Sequence, residues 1–82
     1  MRISTDPRDP GYRQWVASWN SGQYLVFLDG IEMADVETVD TDKGFLTRFV
    51  MNDVGEFVMD GEGLKRETLF GKVECRWVPD PA

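Results

Sequence analysis

"QYLVFLDGIEM", residues 23–33, is the stretch on which the fold turns. Its first six residues are apolar on both parities, the pattern of a central strand covered on both faces. Asp29-Gly30 supplies the positive φ angles of a tight two-residue hairpin, so the chain is expected to fold straight back on itself. In "IEMADVETV" (31–39) Ile31 and Met33 share one parity while Val36 falls on the other, and this slip predicts a bulge near Ala34.

Outward from that hairpin, turn signals recur: "TDKG" at 41–44, "NDVG" at 52–55 and "DGEG" at 60–63. Such spacing belongs to short antiparallel strands rather than to helices. "FLTRFVM" (45–51) sets Phe45, Thr47, Phe49 and Met51 against Leu46, Arg48 and Val50, and "EFVM" (56–59) is a short strand. "LKRETLF" (64–70) leads through Gly71, a bend or bulge where the sheet curls, into "KVECRWV" (72–78). There Val73, Cys75 and Trp77 alternate inward against Lys72, Glu74 and Arg76, and this last strand is the expected sheet edge. The expected fold is mainly β, a small curled antiparallel meander or barrel of about five strands.

"GYRQWVASWNSG" (11–22) is the part with no place in that meander. Tyr12, Trp15, Val16 and Trp19 recur at helical spacing, with Asp9 as a cap, Pro10 at the first helical position and Asn20-Ser21-Gly22 as the stop. Trp15, Ala17 and Trp19 also alternate, so a short helix and an extended aromatic loop both stay open. In either geometry the segment is expected to pack on the sheet as a lid, with Tyr12, Trp15 and Trp19 as a candidate aromatic surface if they face solvent instead.

The chain has 82 residues, enough for one core, since a domain of this size buries only about 60 to 65 % of its unfolded surface. Residues 1–82 are therefore read as a single domain. All four prolines lie at 7, 10, 79 and 81, which marks 1–10 and 79–82 as expected flexible ends. No apolar run reaches the ~18 residues of a membrane span, and "MRISTDPRDP" has no signal-peptide core. With Cys75 the lone cysteine, these features predict a cytoplasmic protein.

The net charge of −6 is concentrated in the middle, where residues 29–62 hold ten acidic against two basic side chains. That balance argues against direct contact with nucleic-acid phosphate and permits a basic partner. Asp35, Glu37, Asp40 and Asp42 are the candidate partner-binding acids.

Catalytic chemistry finds little material. No histidine is present, and Cys75, on the inward parity, reads as a small buried hydrophobe. "DTDKG" (40–44) opens like a calcium loop, but its twelfth position is Met51, and Asp60 with Glu62 sit in a solvated turn. Without a phosphate loop, a nucleophile elbow or a cysteine cluster, the expectation is a non-enzymatic protein with neither metal nor cofactor.

The runs "MRISTDPRDPGY" (1–12), "YLVFLDGIEM" (24–33), "DKG" (42–44), "GEF" (55–57) and "RETLFGKVE" (66–74) together resemble small uncharacterised proteins encoded by tailed bacteriophages and prophages of proteobacteria. The resemblance covers most of the chain and carries no functional residue with it. It implies a phage accessory or virion-associated protein, in the host cytoplasm or in the virion. Two functions are then expected. The first is a small β domain that binds a phage or host protein, or itself, through a sheet edge or as a structural accessory. The alternative is an acidic mimic of nucleic acid that blocks a host DNA- or RNA-binding protein.

Overall fold

A computed structural model describes residues 1–81. In chain order the elements are β1 (Arg2–Ser4), α1 (Tyr12–Val16), β2 (Gly22–Leu28), β3 (Ile31–Met33), β4 (Val36–Asp40), β5 (Phe45–Phe49), β6 (Met59–Asp60), β7 (Gly63–Leu64), β8 (Arg66–Phe70) and β9 (Val73–Pro79). The fold is mainly β and antiparallel, with one short helix, as the turn spacing implies.

Asp29 and Gly30 both take left-handed φ angles, 51° and 84°, and close the β2/β3 hairpin in the register Leu28↔Ile31 and Val26↔Met33. On its other side β2 pairs along its whole length with β9, matching Val26 with Cys75 and Tyr24 with Trp77. The order is therefore β3-β2-β9, with the last strand at an edge, as expected. β2 is central but is not covered on both faces. Val26 is buried within, whereas Phe27 on the outer face is covered by the guanidinium of Arg76, 4.6 Å from its ring.

The parity slip after Met33 has a larger cause than a bulge. Asp35 takes φ 59° and turns the chain out of the first sheet into a second, ordered β1-β4-β5-β8. The register shift itself falls later, between Val36 and Thr38 in β4. The return crossing is at Gly71, between β8 of one sheet and β9 of the other. A Cβ on Gly71 would stand 2.8 Å from Asp29 Oδ2, so glycine is needed for the closeness of the hairpin turn. Asp29 Oδ1 in turn accepts the Lys72 N–H at 2.9 Å and locks that corner.

The core lies between these two sheets. Ile3, Val39 and Leu46 from the second meet Val26 and Val73 from the first, and Leu46 is 0 % exposed. A single curled sheet of five strands is thus replaced by two sheets and a small β6/β7 hairpin, and the sheets do not close into a barrel. Two corners, at Asp35 and Gly71, divide what the sequence presents as one meander.

The N-terminal ten residues are not a flexible end. β1 pairs with β4 (Arg2↔Asp40, Ile3↔Val39, Ser4↔Thr38), and burying Ile3 in the core is the reason it holds. At the other end β9 runs through Pro79 and the Asp80 N–H donates to the Ser21 carbonyl at 2.9 Å. Of the expected tail 79–82, residue 82 lies outside the described residues.

Candidate functional site

The segment 11–22 folds as a helix, but a short one. α1 spans five residues behind Gly11, with no side-chain cap, because the Asp9 carboxylate is turned to the Gly11 N–H and the fork of Arg2. A five-residue helix resting on β1 has too little surface to seal a sheet, and none of its residues is buried. The expected lid is not closed: Trp19 is 59 % exposed and Val16 also faces solvent.

Instead the aromatics form one wall of an open cleft of about 360 Å³. Trp15 and Trp19, 6.3 Å apart between ring centroids, stand on the α1 side. Facing them are Tyr24 on β2 and Trp77 on β9, cross-strand partners whose rings lie 4.9 Å apart. Ile3, Val26 and Val39 of the core form its apolar floor, and Met33, Asp35, Val36 and Glu37 its rim. Gln14 Nε2 and Ser18 Oγ each donate to the Tyr24 hydroxyl at 3.3 Å, which ties the helical side to the sheet side. Tyr12 lies outside the lining and stacks behind Trp15 at 5.7 Å.

The four candidate acids do not form one surface. Asp40 is 4 % exposed, its carboxylate accepting the Lys43 and Asp42 N–H groups and Arg2 Nη1 at 3.2 Å. The Lys43 N–H first, and Arg2 with it, hold this carboxyl below the usual aspartate range. Asp42 is exposed and engaged by the N-terminal ammonium at 2.6 Å. Glu37 is held in a two-pronged contact by Arg66, Nε at 2.7 Å and Nη2 at 3.0 Å. Asp35 alone of the four has neither a side-chain hydrogen bond nor an ion pair among the described residues. Asp35 and Glu37 are therefore the acids that the fold brings to the aromatic cleft.

Trp77 and Tyr24 complete a site that sequence pattern assigns only in part. Trp77 is on the same face as Val73 and Cys75, as the alternation requires, yet it is 38 % exposed at the mouth of the cleft. The signal for it was the inward parity of β9. That Tyr24 stands beside it depends on the β2/β9 register, which no local pattern encodes.

Reactive groups outside the cleft are few. Cys75 is half-buried and desolvation pushes its thiol up to about 11, so little thiolate forms near neutral pH. Asp60 and Glu62 are exposed in the β6/β7 turn. Among the described residues no group of three or more His, Cys, Asp or Glu stands close enough to hold a metal ion, and no helix is long and apolar enough to cross a membrane. No family model matches the chain, and no curated protein or solved structure is significantly similar to it.

Proposed function

We propose that this domain is a non-enzymatic protein-binding module, acting on a phage or host protein as the resemblance in its sequence implies. The observation that carries the reading is the open cleft. Trp15, Trp19, Tyr24 and Trp77 are gathered around one concavity, and Trp19 and Trp77 keep much of their surface in water. Exposed tryptophans that converge on an apolar floor are the usual anchors of a protein interface, where large rings supply contact area at small conformational cost.

The acidic decoy is the weaker reading. A mimic of nucleic acid needs its carboxylates in a solvated row, whereas Glu37 and Asp40 are largely withdrawn from water and engaged by Arg66 and Arg2 of this same chain.

Immobilised protein and the lysate of a proteobacterial host test the reading, with Trp19→Ala and Asp42→Asn as paired variants. Capture of one discrete protein, lost with Trp19→Ala and kept with Asp42→Asn, is the expected result. A captured nucleic-acid-binding protein that is lost with Asp42→Asn and kept with Trp19→Ala would replace the cleft with the decoy.

A further inference from the structure

We infer that the occupant of the cleft is a cationic side chain, an arginine or lysine presented by the partner protein. The inference rests on the protein-binding reading and adds the chemistry that the partner must bring.

Three observations converge on it. Trp15, Trp19, Tyr24 and Trp77 all line one cleft, and a cation is drawn to the negative face of such rings, tryptophan most strongly. Among the described residues no lysine or arginine lines the cleft, although the fold uses the same attraction elsewhere: Arg2 lies over Phe45, Arg66 over Phe49 and Arg76 over Phe27, at 5.4, 5.0 and 4.6 Å. Three of its own arginines are thus placed on phenylalanines, and none of these three lines the cleft. Finally, Asp35 stands on the rim without a partner among the described residues, while Glu37 beside it is already matched by Arg66. One carboxylate without a counter-ion, at the mouth of an aromatic cleft, is charge-complementary to one cation. The surplus acid of residues 29–62 adds a longer-range field of the same sign.

The test uses three capped tripeptides, acetyl-Gly-Xaa-Gly-amide with Xaa arginine, citrulline or leucine, and the neutral sugar cellobiose. Binding is followed through the indole N–H signals in two-dimensional NMR spectra. Citrulline keeps the shape and most of the hydrogen bonding of arginine and lacks its charge. The arginine peptide is expected to shift the Trp15, Trp19 and Trp77 signals saturably, in the millimolar range suited to a single side chain, and about five- to tenfold more tightly than citrulline. Asp35→Asn should remove most of that preference. Asparagine tolerates the left-handed φ of 59° at this position, so the turn is kept. Trp19→Ala, at an exposed ring, should weaken every peptide.

Equal binding of arginine and citrulline overturns the cation, as does a preference that survives Asp35→Asn. If leucine binds best, the cleft is a protein site of apolar specificity and only the present inference fails. If cellobiose binds and no peptide does up to about 50 mM, far weaker than any useful protein contact, the protein-binding reading fails with it.

Discussion

The indole of Trp77 is seated on Gly22, the first residue of β2 and its diagonal neighbour across the β2/β9 pairing: a Cβ on Gly22 would stand 2.6 Å from Trp77 Cζ2 and 2.7 Å from Cη2. The Val78 carbonyl closes the same space from the backbone side. One wall of the cleft therefore depends on the absence of a side chain on the facing strand. Gly22→Ala should push the ring off its seat, separate it from Tyr24 and cost about 1 to 3 kcal/mol, the usual range for overpacking. Urea titration measures the cost, and a shifted Trp77 indole signal locates it. A variant as stable as the wild type, with an unmoved signal, would show that the strand ends yield freely.

Burial sets a second expectation. Leu46, 0 % exposed between the sheets, should lose about 2 to 5 kcal/mol on Leu46→Ala. Trp77, at 38 % exposure, should lose about 2 kcal/mol on Trp77→Ala, below the roughly 3 to 5 of a fully buried tryptophan. Denaturant midpoints rank the two variants. If Trp77→Ala proved the more damaging, the centre of the fold would lie at the β2/β9 end rather than around Leu46.

What could be read in the sequence was local. Asp29-Gly30 announces its hairpin because two successive positive φ angles admit few residue types, and Val73, Cys75 and Trp77 announce a face because strand side chains alternate. The N-terminal strand was hidden for the opposite reason. Pro7 and Pro10 suggest a tail, while the partners of Arg2 and Ile3 are Asp40 and Val39, far along the chain. The cleft was half legible. Trp15 and Trp19 stand out as a pair, and Asp35 and Glu37 as surplus charge, but only the corner at Asp35 and the β2/β9 register bring them to one place. Parity likewise separated Leu46 from Phe45 without saying which faced inward.

Arg2 between Asp9 and Asp40 makes stability depend on acid. Its guanidinium meets Asp9 through Nε at 2.9 Å and Nη2 at 2.7 Å, and the bond to Arg2 holds the Asp9 carboxyl below its ordinary value. Asp40 is lowered too, by the Lys43 N–H and by Arg2. A depressed carboxyl contributes stability above its unfolded value, about 3.9, and loses it as pH falls through the native value. The wild type should therefore weaken steadily from about pH 4 downward. Asp9→Asn should be less stable at pH 7 and approach the wild type near pH 2.5, in urea titrations run at both. A gap that is the same at both pH values would mean that the Asp9 side chain acts by shape rather than by charge.

Cys75 should be slow to react. Burial raises its thiol to about 11, and the Val26 backbone lies across from it in the β2/β9 pairing. At pH 8 a disulfide reagent should modify the native protein at least about tenfold more slowly than the urea-unfolded chain, because thiolate and access are both scarce. Equal rates would place the sulfur at the surface.

Fluorescence quenching probes the cleft and its charge together. Trp19 is 59 % exposed, Trp77 38 %, and Trp15 half-buried, so the free protein should emit well to the red of a buried indole and be quenched by neutral acrylamide. Trp19→Phe should remove the most accessible part of that emission. Iodide is an anion and must approach past Asp35, in a chain of net charge −6, so relative to its quenching of free N-acetyltryptophanamide it should lose more efficiency than acrylamide or caesium cation. Raising the ionic strength shortens the reach of that field to about 8 Å and should narrow the difference between the two ions. Asp35→Asn should improve iodide quenching and leave acrylamide quenching unchanged, because the substitution alters charge and barely alters size. Blue emission that resists all three quenchers would mean that α1 closes over the sheet in solution and that the aromatic cleft is shut.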